Sequence, residues 1–216
     1  LGGFTESSRW HKAGGARHHN FLRKYAGPNE QGEATYWVDA ELNGATNRPG
    51  KNLSYTTTNP NEATKYELGS SMPDAYGGFG TTLTAYGFDL SVTFDYQLGG
   101  EIYDSNYAVL MGNNASSADA GSAVHVGDHY TTSQSDRFLT SASYLNFLSV
   151  TLGYTLPAEL VKKMGLSNLR IYATGENLGF WSARKGLDPR YSFSENANVN
   201  VYSPVRTIMG GIQVSF

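Results

Sequence analysis

The stretch FDLSVTFDYQL, from Phe88 to Leu98, alternates strictly between apolar and polar side chains. A period of two predicts a β-strand, because successive side chains of a strand point to opposite faces. One face of this strand is therefore wholly apolar and the other wholly polar. Its length matches the roughly 9–11 residues that a tilted strand needs to cross a bilayer.

The same alternation continues on both sides of this stretch. Upstream, Phe79–Ala85 alternates and is separated from it only by Tyr86-Gly87, which predicts a tight hairpin. Downstream, three more runs are predicted as strands, and they are Tyr144–Leu156, a run that begins at Leu169, and Ser203–Phe216. Within the first of these runs, Leu148, Val150 and Leu152 are predicted to share one face.

The predicted connections alternate in length. Tyr86-Gly87 is short, and so is Pro157–Asn168, in which a short helix is predicted from Ala158 to Met164. The connections Gly99–Ser143 and Ser182–Tyr202 are long and rich in Asn, Ser and Gly. Short turns at one end of the strands and long loops at the other are typical of outer-membrane barrels.

The first part of the chain has a weaker pattern. His19–Tyr25 and Ala34–Leu42 suggest a hairpin around residues 28–32. We therefore divide the sequence into residues 1–75, an extracellular loop region with this hairpin, and residues 76–216, the C-terminal membrane strands. The opening residues have none of the features of a signal peptide, and we interpret the chain as a fragment of a longer protein.

Composition limits the classes of function. The chain has 216 residues, no cysteine and a net charge of −3, with a mean hydropathy of −0.40. The missing cysteines exclude a disulfide scaffold, and the weak negative charge does not favour nucleic-acid binding. No apolar run approaches the roughly 18 residues of a membrane helix. A barrel strand exposes only alternate residues to lipid, so this hydropathy is compatible with one.

Several motifs, in order along the chain, resemble the SusC/RagA-like TonB-dependent transporters. The clearest is Tyr76–Phe79 followed by Tyr86–Val92, which begins with the tight turn. The other matching segments are Gly99–Asp104, Ser143–Leu145, Val150–Pro157, Leu169–Leu178, Lys185–Pro189 and Pro204–Phe216. Asn146–Ser149 departs from the family, in which a basic, polar run is usual at this place.

The resemblance implies an all-β fold, namely the C-terminal antiparallel strands of a transmembrane barrel of about 22 strands. Long extracellular loops and a short periplasmic helical turn would connect them. It also implies uptake of oligosaccharides or peptides across the outer membrane of a Gram-negative bacterium, without cofactor, metal or catalysis. The implied partners are the plug and remaining strands of the same transporter, a SusD-like lipoprotein, TonB, outer-membrane lipid and the barrel-assembly machinery.

Six residues are candidates for functional roles. Trp10 and Trp37 are predicted to bind substrate, because amphipathic aromatic side chains are enriched at binding surfaces. Asp89, Asp95 and Gln97 lie on the polar face of their strand and are predicted to line the lumen of a barrel. The sixth candidate is the C-terminal phenylalanine, Phe216, which the family resemblance identifies as a recognition signal for barrel assembly.

No catalytic or metal site is predicted. Asp89 and Asp95 are separated by six residues, roughly 20 Å along a strand, which is too far for a pair of catalytic carboxylates. The cluster His125, Asp128 and His129 lies in a polar segment without helical periodicity, so we interpret it as solvated.

Two other architectures remain open at this stage. A secreted carbohydrate-binding β-sandwich would also show alternating strands, but it would bury the apolar face of Phe88–Leu98 against a second sheet. A small self-contained barrel would need about eight strands, more than the five or six that the pattern indicates.

Overall fold

The computed structural model describes residues 3–6, 9–15, 18–39, 55–104, 108, 135–191 and 204–216. Within them, a helix α1 covers Ala158–Lys163, and short 3-10 turns cover Asp136–Phe138 and Pro189–Tyr191. The strands, in chain order, are β1 (Phe4–Glu6), β2 (Arg9–His11), β3 (His19–Arg23), β4 (Tyr25–Pro28), β5 (Ala34–Val38), β6 (Tyr55–Thr57), β7 (Lys65–Ser70), β8 (Ala75–Ala85), β9 (Phe88–Leu98), β10 (Glu101–Tyr103), β11 (Leu139–Ser141), β12 (Tyr144–Thr155), β13 (Asn168–Ser182) and β14 (Thr207–Ser215). None of the helices in these ranges is long and apolar enough to cross a membrane.

The chain forms two compact units, and both are discontinuous in sequence. The sheet unit comprises Asp74–Leu98, Ser143–Gly186 and Tyr202–Phe216. The loop unit comprises Leu1–Pro73, Gly99–Ala142 and Leu187–Val201. The boundary at Pro73 lies close to the one predicted at residue 75. The two long connections group with the N-terminal segment, which the sequence division did not foresee. That residues 1–75 are extracellular stays a prediction.

The sheet unit is one antiparallel sheet with the order β14-β13-β12-β9-β8. Strand β9 has the bounds that the alternation predicted, and β8 and β9 are joined by the predicted hairpin at Tyr86-Gly87. Both turn residues have positive φ, 51° for Tyr86 and 85° for Gly87. A two-residue turn of this kind has the twist that flanking strands require. The chain leaves the sheet at Leu98 and Gly186, both at the end opposite to this hairpin.

Strand β12 is interrupted by a β-bulge that the sequence pattern did not predict. Phe147 is opposite Phe94 in β9, whereas Ser149 is opposite the next residue, Thr93. Leu148 is therefore the extra residue of a β-bulge, and alternation changes phase there. The bulge keeps both Phe147 and Val150 on the apolar face. The bulge falls within Asn146–Ser149, the segment that departs from the family pattern.

The ends of two elements also differ from the sequence prediction. Strand β14 begins at Thr207 and ends at Ser215, whereas the pattern placed the strand from Ser203 to the last residue. Pro204 has no backbone N–H to donate to a ladder. Helix α1 ends at Lys163, and Gly165, with a φ of 74°, reverses the chain beyond it.

In the described part of the loop unit there are three small sheets, with the orders β1-β2-β3-β7, β4-β5-β6 and β10-β11. The predicted hairpin exists only in part, since β4 pairs with β5 while β3 pairs instead with β2 and β7. Gly27, at a φ of 104°, follows a shift in the register between β4 and β5. The proposed single arm His19–Tyr25 is therefore divided between two sheets. Leu42, the predicted end of the second arm, lies outside the described residues.

The core of the loop unit is aromatic and aliphatic. Leu22 and Tyr66 are opposite each other in β3 and β7, and both are fully buried. A separate buried cluster joins Ile102, Ala142 and Leu187, which come from the two long connections. The backbone N–H of Tyr25 donates to Asp136 Oδ1 at 2.8 Å and joins the N-terminal strands to residues far along the chain. These contacts explain why distant segments form one unit.

Candidate functional site

The feature that carries the functional argument is the apolar face of the sheet unit. Antiparallel pairing brings apolar side chains into rows that cross all five strands. Three of these rows are Ala85-Phe88-Tyr154-Ile171-Ile212, Leu83-Leu90-Leu152-Ala173-Gly210 and Thr81-Val92-Val150-Gly175-Ile208. The face is therefore continuous, as the alternation of each strand predicted.

This apolar face is exposed. Leu83 is 59% exposed, Leu152 49% and Ile212 67%. A β-sandwich would bury these side chains against a second sheet, so the exposures contradict that alternative. An apolar surface of this extent marks an interaction with lipid or with another protein.

Aromatic side chains are concentrated in two rows on this face. Phe79, Phe94 and Phe147 stack across three strands, with ring centroids 5.1 Å and 4.7 Å apart. Nearer the hairpin, Phe88 and Tyr154 form a second contact with centroids 4.5 Å apart. Phe88 and Phe94 are six residues apart on β9, roughly 20 Å along the strand. Aromatic rows on either side of an aliphatic band are typical of membrane barrels.

The opposite face is polar and hydrogen-bonded. A row of hydroxyl groups crosses four strands, and Thr151 and Thr174 lie within it with their oxygens 3.1 Å apart. Nearer the other end, Asn146 Nδ2 donates to Asp95 Oδ1 at 2.7 Å. Asn146 and Gln97 are almost fully buried. Asp89, Asp95 and Gln97 lie on one polar face of β9, and their exposure to a lumen stays a prediction.

An ion pair spans three strands on the polar face. Arg170 in β13 donates to Asp89 in β9 through Nε to Oδ1 at 2.9 Å and through Nη2 to Oδ2 at 2.5 Å. Gly153 in β12 lies between them, opposite Asp89 in the register. A Cβ atom at position 153 would contact the Arg170 guanidinium and would lie 2.5 Å from Asp89 Oδ1. The missing side chain therefore allows the two charged groups to meet.

The ring of Tyr172 extends this cluster towards the last strand. The Arg170 guanidinium carbon lies 5.0 Å from the Tyr172 ring centroid, within the range of a cation–π contact. The same ring covers Gly211 in β14, where an added Cβ would lie 2.5 Å from the ring. Two glycines thus make room for one polar cluster that connects β9 with β14.

Several known proteins are similar in sequence to this chain. No family model matches it. It is 27% identical over 171 residues to the TonB-dependent receptor P3 of Formosa agariphila, which covers 69% of this chain and 17% of the receptor. It is 28% identical over 163 residues to the TonB-dependent receptor SusC of Bacteroides thetaiotaomicron, which covers 70% of this chain and 16% of the receptor.

A solved structure shares the fold. The whole chain aligns with 25% of a chain in the RagAB peptide importer in its closed-closed state, at a TM-score of 0.73 and 20% identity. The resemblance to SusC/RagA-like TonB-dependent transporters is confirmed. The all-β fold of antiparallel barrel strands is confirmed with it. The chain spans less than a fifth of the length of the SusC-like relatives it matches.

The two tryptophan candidates lie in the loop unit. Trp10 packs on Phe21 with ring centroids 5.1 Å apart, and its indole Nε1 is buried without a hydrogen-bond partner among the described residues. Trp37 is half-buried in β5, opposite Thr56. Phe216 follows β14 and is 94% exposed. Substrate binding by the tryptophans and the assembly role of Phe216 stay predictions. The cluster at His125–His129 lies outside the described residues.

Arg170 and Gly153 were not predicted as site residues. Arg170 follows Leu169, where a strand was predicted to begin, but its pair with Asp89 depends on the registers of three strands. Gly153 had no signal of its own, because glycines are common throughout the sequence. One signal was available in the sequence. The polar face of one strand carries a cation, Arg170, and the polar face of another carries a carboxylate, Asp89.

Proposed function

We propose that this chain forms part of the wall of a TonB-dependent outer-membrane importer of oligosaccharides or peptides in a Gram-negative bacterium. The observation that carries the proposal is the sheet with one continuous, exposed apolar face and one hydrogen-bonded polar face. Lipid would contact the first face and the water-filled, plugged lumen the second. The relatives named as TonB-dependent receptors, and the peptide importer that shares the fold, support uptake as the purpose.

The remaining strands and the plug are proposed to belong to the same transporter. Among the described strands, β8 and β14 each pair on one side only. A five-stranded sheet cannot close, since the smallest membrane barrels have about eight strands. Exposed edges of this kind are normally paired or covered. Neighbouring strands of a longer polypeptide would complete the cylinder.

The proposed external partner is a SusD-like lipoprotein. The chain leaves the sheet at one end in two long excursions, and short connections lie at the other end. By the usual layout of such barrels, the long excursions are extracellular and the short ones periplasmic. A surface lipoprotein would meet the loop unit, whereas TonB would pull on the plug from the periplasm.

Uptake is the direct test of this function. Cells that lack the full-length gene are expected to lose uptake of labelled oligosaccharides or peptides, and the wild-type gene should restore it. Restoration should fail in a strain without TonB, because opening of the plug requires TonB. Uptake that continues without TonB would refute an energised importer, and localisation of the full-length protein outside the outer membrane would refute the barrel.

Deletion of Phe216 tests the assembly role of the last residue. We expect a strong decrease in folded transporter in the outer membrane, because this exposed terminal side chain would be read by the assembly machinery. The amount is measured as the heat-modifiable band in outer-membrane fractions. Phe216→Tyr is the matched control, since it keeps an aromatic ring and should assemble normally. Normal membrane levels of the deletion variant would contradict the role.

A further inference from the structure

Three large, exposed side chains lie at the hairpin end of the sheet unit, beyond the aromatic contact of Phe88 with Tyr154. Tyr86, in the turn between β8 and β9, is 99% exposed. Leu160 in α1 is 51% exposed, and Met164, directly after α1, is 61% exposed. Large apolar side chains that are exposed together at one end of a sheet mark a contact surface.

The hairpin and the start of α1 are adjacent. The backbone N–H of Thr155, the last residue of β12, donates to the carbonyl oxygen of Gly87 at 2.7 Å. Only Leu156 and Pro157 separate β12 from α1. The helix contacts β13, and its Val161 side chain is almost fully buried. Helix α1 is therefore held at this end of the sheet.

The apolar face of the sheet extends towards α1. The backbone N–H of Leu156 donates to the carbonyl oxygen of Leu169 at 2.9 Å, and Leu169 is opposite Val214. By alternation these residues form one further apolar row beyond Tyr154. At about 3.3 Å per residue, Pro157 lies roughly 10 Å beyond Tyr154 along the strand. Since aromatic rows mark the edges of the hydrocarbon layer, α1 lies at the level of the lipid headgroups.

The side chains of α1 suit a lipid surface. Leu160 and Met164 are four positions apart and share one side of the helix, and Lys163, which is exposed, flanks that side. A lysine stem can lie along apolar surface while its ammonium reaches a phosphate group. Apolar residues on one side with a flanking cation are typical of helices that lie in a membrane interface.

Tyr86 occupies a backbone conformation that favours glycine or asparagine. Its φ of 51° lies in the left-handed region, which bulky residues rarely adopt. A tyrosine does not favour such a turn, and this ring is almost completely exposed, so we infer that it serves a contact outside the chain. Tyrosine is enriched where hydrocarbon meets headgroups, because its ring is apolar and its hydroxyl polar.

We propose that Tyr86, Leu160 and Met164 anchor the sheet in the phospholipid of the periplasmic leaflet, with the Lys163 ammonium at the phosphate groups. Helix α1 lies in the plane of the interface, and its apolar side enters the boundary between headgroups and acyl chains. The anchor holds this end of the wall at a fixed depth while TonB pulls on the plug. The inference rests on the proposed function, because a lipid leaflet reaches α1 only if the sheet is part of a membrane wall.

Fluorescence quenching in the full-length transporter, reconstituted in phospholipid vesicles, tests the anchor. The chain has no cysteine, so Tyr86→Cys, Leu160→Cys and Met164→Cys can each carry one bimane label once any cysteine elsewhere in the transporter is replaced by serine. Phospholipids brominated on their acyl chains quench labels in lipid, and iodide quenches labels in water. Bromolipid quenching at these positions should exceed that at position 162 at least about twofold, because an interfacial helix buries its apolar side roughly 5–10 Å deep.

Lys162→Cys is the matched control. Residues two apart on a helix point about 200° apart, so this label lies opposite Leu160 and iodide should quench it more than bromolipid does. Leu83→Cys reports on the wall itself, since Leu83 is exposed on the apolar face. The heat-modifiable band shows that each variant is folded, and positions 160 and 164 report independently of each other.

The anchor and the wall can fail separately. Bromolipid quenching at Leu83 together with iodide quenching at positions 160 and 164 would overturn the anchor, because water would then cover α1. No quenching by either reagent at these two positions would overturn it as well, since another protein segment would cover the helix. Absence of bromolipid quenching at Leu83 would refute the membrane wall, and the anchor with it.

Discussion

Val92→Arg is expected to lower the free energy of unfolding of the full-length transporter from lipid vesicles by about 2–4 kcal/mol. Val92 lies in the middle of β9 on the exposed apolar face, between Thr81 and Val150 in the register. An arginine there would meet hydrocarbon if this face contacts lipid, and its charge would be poorly solvated. Urea titration in vesicles measures the loss, and a decrease in heat-modifiable barrel in outer membranes should accompany it.

Ser91→Arg is the matched control. Ser91 is adjacent on the same strand but faces the polar side, where its hydroxyl accepts a 3.4 Å hydrogen bond from Thr82. We expect a change within about 0.5 kcal/mol, as for a solvated surface position. Equal and small effects of the two substitutions would show that water covers both faces, and the membrane assignment of the sheet would be wrong.

Leu22→Ala is expected to destabilise the loop unit by about 2–5 kcal/mol, the usual cost of removing a buried leucine side chain. Leu22 is fully buried against the opposite strand, where Tyr66 is also fully buried. Because this core consists of loop-unit residues, the amount of barrel in the outer membrane should change little. Hydrogen exchange of β3 and β7 in the detergent-solubilised transporter measures the local loss of stability.

Phe4→Ala is the control for this prediction. It removes a larger side chain from β1 of the same unit, but Phe4 is 65% exposed, so little burial is lost. Its effect on exchange should stay within about 0.5 kcal/mol. If Leu22→Ala instead reduced outer-membrane levels as strongly as Val92→Arg, the two units would not hold separate cores, and the division of the chain would be wrong.

Local side-chain patterns predicted the sheet unit well. The bounds of β9, the Tyr86-Gly87 hairpin and the polar position of Asp89 all follow from alternation and turn chemistry, which act between residues close in sequence. The sequence does contain a sign of the bulge at Leu148. Apolar residues occupy odd-numbered positions before it, Leu145 and Phe147, and even-numbered positions from it onward, Leu148 and Val150. Uninterrupted alternation was nevertheless assumed, and the phase change was missed.

The loop unit was predicted less well. Its strands are short, between three and six residues, so a period of two has little length in which to appear. The separation of β3 from β4 depends on pairing with β7, more than forty positions later in the chain.

The sequence by itself determined the two-faced strands, their order of short and long connections and the family they resemble. These properties depend on side-chain period and on turns, which are local. Only the tertiary structure decided which charged groups meet, as in the pair Arg170–Asp89, and how distant segments share the core at Leu187. Contacts of this kind depend on register between strands that are far apart in the chain, and register is set by the packing of the whole sheet rather than by any one segment.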